Sequence, residues 1–193
     1  MKRMLISLTA AALMLLMCVS LASPALAAGT APIAENLEIK TYRNVSVGGK
    51  MSAYDPDDDV VSYEITTQPV KGKIVQGEEG SFTYTPNDNK RGKDYFGYKA
   101  VDAEGNVSQE ATVIIRIEKQ KKDVCYEDME GRAEEYAAVA LSENNIFTAE
   151  MIGGEYCFGP EKTVSRGEFL SMCMLTAGEP LINGVMSTGY EDV

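Results

Sequence analysis

Between Val61 and Ile117, apolar residues recur at every second position: Val61, Tyr63 and Ile65, then Phe82 and Tyr84, then Phe96, Tyr98 and Ala100, then Val113, Ile115 and Ile117. A period of two puts one face of each segment in a core and the other in solvent, the signature of half-buried antiparallel strands. Turn-forming runs separate the segments: Asp55-Pro56-Asp57-Asp58-Asp59, Lys71-Gly72, Gly77-Glu78-Glu79-Gly80, Pro86-Asn87-Asp88-Asn89 and Asp102-Ala103-Glu104-Gly105-Asn106. Roughly six or seven short strands over residues 37–118 predict a small all-β sandwich. The last turn predicts a hairpin with Gly105 or Asn106 at positive φ. The aromatic residues alternate within strands, so they are expected in the core and not in a sugar-stacking platform.

What the chain lacks narrows its chemistry. It has no histidine and no tryptophan, which excludes histidine general bases, Ser-His-Asp triads and histidine metal sites. No catalytic constellation remains, and a non-catalytic protein is expected. Lys2 and Arg3 precede an apolar run from Met4 to Leu21, and Ala25-Leu26-Ala27 closes the segment with an A-x-A pattern. Residues 1–27 therefore read as a secretory signal peptide, since Ser7, Thr9, Ser20 and Pro24 interrupt the run against an uncleaved span. Its removal takes away two cations and moves the formal charge from −11 to −13. An exported chain this acidic is repelled by nucleic acid and by anionic membrane surfaces.

Cys125, Cys157 and Cys173 remain after processing, an odd count at irregular spacing that does not describe a disulfide framework. A Cys125–Cys157 pair stays open, and Cys173 is expected as a small buried hydrophobe on the last helix. The Asn-x-Ser patterns at Asn44 and Asn106 are weak and read as chance.

Residues 28–36 are small and polar and read as a linker. Lys119-Gln120-Lys121-Lys122-Asp123 forms a charged boundary at 119–123, after which the spacing becomes helical. Ala133, Ala137, Ala140 and Leu141 share one helical face, and Phe169, Met172, Cys173 and Thr176 another. Ser165 and Glu168 have capping-box spacing, which places Arg166 at the first helical position. An arginine beside unpaired backbone donors and the positive end of a helix dipole can hold a carboxylate or phosphate. The same spacing equally describes a capped helix with a solvated arginine.

Five elements in order, Tyr54-Asp55-Pro56-Asp57, Gln68-Pro69-Val70-Lys71-Gly72, Phe82-Thr83-Tyr84-Thr85-Pro86-Asn87, Gly92-Lys93-Asp94-Tyr95-Phe96-Gly97-Tyr98 and Asp102 to Asn106, resemble the bacterial Ig-like and cadherin-like repeats of surface proteins. The resemblance covers about residues 31–118 and implies an Ig-like β-sandwich acting as a spacer or adhesion module.

Residues 124–178 resemble the S-layer homology (SLH) repeat. Tyr126-Glu127-Asp128 matches its opening, Arg132 to Asn144 its first helix, Ile146-Phe147 its following apolar turn, Phe158-Gly159-Pro160 its Phe-x-Pro, and Ser165-Arg166-Gly167-Glu168 its signature. Where family members carry His-Trp-Ala, this chain has Arg132-Ala133-Glu134. Tyr190-Glu191-Asp192-Val193 repeats the opening, so 179–193 read as the start of a second, truncated repeat whose neighbours lie beyond this chain.

The SLH resemblance implies a small helix-loop-helix fold and anchoring to a secondary cell-wall polysaccharide at the surface of a Gram-positive-type bacterium. Arg166, with Ser165, Gly167 and Glu168, is the glycan-binding set it implies. Separately, Asp55, Asp57, Asp59 and Asp102 can supply oxygen ligands to calcium if their turns meet, or form a solvated turn with no cofactor. The expected function is a non-catalytic, wall-anchored surface protein displaying an Ig-like module. The alternative is the N-terminal accessory region of a truncated secreted enzyme acting on polysaccharide.

Overall fold

The computed structural model describes residues 29–147 and 149–179. The expected signal peptide and residues 180–193 of the expected second repeat lie outside the described residues.

The alternating segments become strands of two facing sheets. One contains β2 (Leu37–Tyr42), β9 (Ala111–Glu118), β8 (Gly92–Asp102) and β5 (Val60–Thr67), in that order. The other contains β3 (Val47–Lys50), β7 (Ser81–Pro86) and β6 (Gly72–Gln76). Residues 33–34, expected within a linker, form β1 (Ile33–Ala34), which pairs with β4 (Ala53–Tyr54). All pairings within the two sheets are antiparallel except β2 with β9, which run parallel with Ile39 opposite Ile115. A parallel pair cannot be closed by a hairpin, so the rest of the sandwich forms the connection between its first long strand and its last.

The alternation is realised in β8 and β9: Phe96, Tyr98 and Ala100 are buried, as are Val113, Ile115 and Ile117. All but Ala100 share one core with Val47, Phe82 and Tyr84 of the opposing sheet and with Met51, which follows β3. Phe82 and Phe96 pack edge to face at 5.1 Å, the geometry that ring quadrupoles favour. The two tyrosines buried in this core need partners for their hydroxyls. The Tyr98 hydroxyl shares its one proton between the carbonyls of Glu35 and Ser52, 2.5 and 2.7 Å away, and Tyr84 donates to Asp94 at 2.8 Å. Gly105 takes a φ of 88° in the β8–β9 turn, as its sequence predicts.

The second unit contains one helix at Glu135–Glu143, a hairpin of β10 (Glu150–Ile152) and β11 (Glu155–Cys157), and a second helix at Arg166–Thr176. The first helix starts three residues later than expected, because Gly131 at φ 75° turns the chain and Glu135 accepts the Gly131 N–H. Its buried face also differs: Glu135, Ala138, Val139, Ser142 and Glu143 are buried, while Ala137 is exposed. The expected alanine face yields because this helix lies against the sandwich. Its small core joins Val45 and Tyr42 of the sandwich to Val124, Tyr126, Met129, Ala138 and Val139.

No residue of the second helix is buried, and Cys173 is exposed, contrary to expectation, because Ser171, Met172 and Leu175 face the rest of the unit. Cys125 and Cys157 are both free thiols. Among the described residues no helix is long and apolar enough to cross a membrane.

Candidate functional site

The loops that follow β4 and β8 meet at one end of the sandwich and bring three of the four predicted metal-ligating residues together. Asp55, Asp59 and Asp102 each present a carboxylate oxygen, all within 4.8 Å of one another. Asp55 is 8% exposed; its Oδ1 accepts the Asp57 N–H at 2.8 Å while its Oδ2 is buried without a partner. Asp59 Oδ1 is likewise buried and unpartnered. Asp102, 2% exposed, accepts the Asn106 N–H at 2.7 Å and the Asn106 amide at 2.8 Å. Burial pushes its carboxyl up, but these donors and the N–H groups of Gly105 and Glu104 outweigh burial and hold it below the ordinary range.

Asp57 does not join the cluster. Its Oδ2 accepts the Thr30 N–H at 2.8 Å, and Asn106 donates to the Gly29 carbonyl at 3.2 Å. The corner therefore also fastens the segment leading into β1. Glu104, which the sequence did not single out, lies beside Asp59 and pushes its pKa up. Neighbouring carboxyls beside a buried, orphaned carboxylate oxygen describe a site short of positive charge. A hard cation with oxygen ligands, such as calcium, fits that donor set.

The second candidate is the start of the second helix. Ser165 Oγ accepts the Glu168 N–H at 3.2 Å, and Glu168 accepts the Ser165 N–H at 2.9 Å, completing the capping box. These bonds hold the Glu168 carboxyl below its ordinary range. Arg166 and Gly167 lie on the exposed first turn.

A cavity of about 710 Å³ opens beside that turn, lined by Leu141, Phe147, Ile152, Phe158, Met172 and Leu175 with Glu168 at its edge. Ser165, Arg166 and Gly167 do not line it, so the structure joins only Glu168 of that set to the cavity. Asp128 organises the approach by accepting the N–H groups of Phe158 and Gly159 at 2.8 and 2.6 Å. The aromatic-x-Asp opening is thus tied to the Phe-x-Pro segment thirty residues on.

The two facing sheets define a class, an Ig-like β-sandwich. Residues 29–119 match the profile of the bacterial cadherin-like domain, and this match ends before residue 124. No curated protein matches the chain significantly. Among solved structures, an SrpA adhesin from Streptococcus sanguinis is 20% identical, with 51% of this chain and 64% of that one covered at a TM-score of 0.38. Human protocadherin-24 EC1-2 is 18% identical over 47% of this chain and 53% of its own, at 0.37. The sialic-acid-binding region of a Streptococcus sanguinis SK1 adhesin is 15% identical over 51% and 32%, at 0.35. The chain spans less than two thirds of each of these structures.

Proposed function

We propose that this is a non-catalytic bacterial surface protein whose cadherin-like sandwich is a spacer or adhesion module and whose residues 124–178 hold it to the cell wall. The reading of the second unit is supported by one observation above others. The Asp128 clamp on Phe158-Gly159 and the completed Ser165–Glu168 capping box set Arg166 on an exposed helix start. There a guanidinium beside backbone donors suits an acidic sugar of a secondary wall polysaccharide.

Co-sedimentation with Gram-positive walls, before and after chemical removal of the wall polysaccharide, tests the reading. Binding lost with the polysaccharide and weakened by Arg166→Ala is expected; binding that survives both treatments, or none to intact walls, sinks it.

The acidic corner adds a calcium-dependent element to this module. The orphaned Asp55 Oδ2 supports it: an ion there would satisfy that oxygen and relieve repulsion with Asp59 and Asp102, while the same loops hold Gly29 and Thr30. Calcium is expected to raise the melting temperature of the wild-type protein and leave Asp55→Asn unresponsive. A melting temperature indifferent to calcium in the wild type would leave only an acidic turn.

A further inference from the structure

The outer face of the four-stranded sheet carries an arrangement that neither the wall-binding unit nor the acidic corner uses. Lys40 of β2 lies opposite Arg116 of β9, and Lys93 of β8 lies opposite the same Arg116. Three cations therefore stand side by side across three adjacent strands. Lys40 and Lys93 are exposed, and the Arg116 side chain is 44% exposed.

Like charges directly opposite one another in a sheet destabilise it, and only the central cation of this row has a carboxylate paired with it. Arg116 Nε donates to Glu38, and Glu118 lies one row beyond. The hydrogen bond from Arg116, with the nearby charges of Arg116, Lys93 and Lys40, holds the Glu38 carboxyl below its ordinary range. Arg116 is thus paired with Glu38, while Lys40 and Lys93 at the two ends are exposed, in a protein whose formal charge is −11.

The next row on the same face contains Glu38, Ile114 and Tyr95. Tyr95 is 47% exposed although its neighbours in sequence, Asp94 and Phe96, are buried. An exposed ring and a branched aliphatic side chain beside a line of cations offer both an apolar platform and anion contacts.

We propose that Lys40, Arg116, Lys93 and Tyr95 form a second binding surface, for an acidic polysaccharide carrying carboxylates along its chain. Neighbouring strands are about 4.8 Å apart, close to the length of one sugar ring in an extended chain, so successive acidic sugars can meet successive cations. The aromatic ring of Tyr95 then faces the apolar side of a sugar. A continuous, densely charged polymer such as duplex DNA is disfavoured by the acidic remainder of the molecule, which repels it beyond the row.

Affinity electrophoresis of the purified protein in chelator, through gels containing polygalacturonate, neutral dextran or duplex DNA, tests this directly. The chelator removes calcium that could bridge the polymer to the acidic corner. Polygalacturonate alone is expected to retard the protein, less so as salt rises. The Lys40→Gln/Lys93→Gln double variant is expected to melt no lower than the wild type and to bind about tenfold more weakly, a loss of about 1.4 kcal/mol. The comparison is made in an Arg166→Ala background, which removes the other guanidinium assigned to an acidic sugar and so separates this surface from the wall-binding site. Equal retardation of the double variant and the wild type, equal retardation by DNA, or no retardation by polygalacturonate overturns the proposal.

Discussion

Asp94 shows how much one side chain can fix in a fold without a disulfide. It is 3% exposed, and its carboxylate accepts the N–H groups of Val70 and Lys71 at 3.1 and 2.8 Å and the hydroxyl of Tyr84 at 2.8 Å. It therefore joins the β5–β6 loop to strands of both sheets. Asp94→Ala leaves the buried Tyr84 hydroxyl and two part-buried N–H groups without their acceptor; a buried donor costs about 1–3 kcal/mol when unsatisfied, and each lost part-buried bond adds up to about 1 kcal/mol. With partial relaxation, the variant is expected to lose about 3 kcal/mol in a urea titration; a loss under about 1 kcal/mol would mean that water replaces the carboxylate. The role of Asp94 was not legible in the sequence, where it stands in a Lys-Asp-Tyr run that equally suits an exposed turn. The acidic corner was partly legible. Four aspartates at two turns pointed to it, but only the direction each side chain takes separates Asp59, which faces Asp102, from Asp57, which holds Thr30.

At the scale of elements, the strands were readable because burial on one face imposes the same period that the sequence carries. The helices were readable as helices, and the capping box fixed the start of the second one at Arg166. The buried face of the first helix was not readable, because it is set by β3, some ninety residues earlier in the chain. Gly48 donates its N–H to the Ala133 carbonyl at 2.8 Å, and a Cβ on Gly48 would come within 2.7 Å of the Ala133 side chain. Glycine is required there by this close approach. Gly48→Val is accordingly expected to push residues 131–134 off the sandwich and expose the loop before the first helix to protease, while the buried sandwich core protects residues 37–118. Limited proteolysis with mass analysis reads this out, and a cleavage pattern identical to the wild type would show that the contact is dispensable.

Across the whole molecule, the two units are joined closely enough to behave as one. The charged run at 119–123 is fastened: Lys121 and Lys122 donate backbone N–H groups to Glu143 at 2.8 and 2.7 Å. Tyr136 packs against both the sandwich core and the smaller one. Between them Glu135 is buried, accepting the N–H groups of Ser46 and Gly131 at 3.0 Å each, while Ser46 returns its carbonyl to the Tyr136 N–H at 3.1 Å. Burial pushes the Glu135 carboxyl up, and the two backbone donors offset this only in part.

The sign of the consequence follows from linkage. A carboxyl whose pKa is higher in the folded state keeps its proton to higher pH when folded than when unfolded. Its contribution to stability therefore falls as pH rises from the ordinary glutamate value through the raised folded value, and stays constant above that. Glu135→Gln retains an oxygen able to accept both N–H groups and has no charge to bury. Its melting temperature is expected to exceed that of the wild type at pH 7, with the gap narrowing as the pH is lowered through the glutamate range. Melting curves of both proteins between pH 7 and pH 4, each showing a single transition through the shared interface, would meet the expectation. A gap that widens toward acid would instead mean that the charged carboxylate and its two donors stabilise the junction.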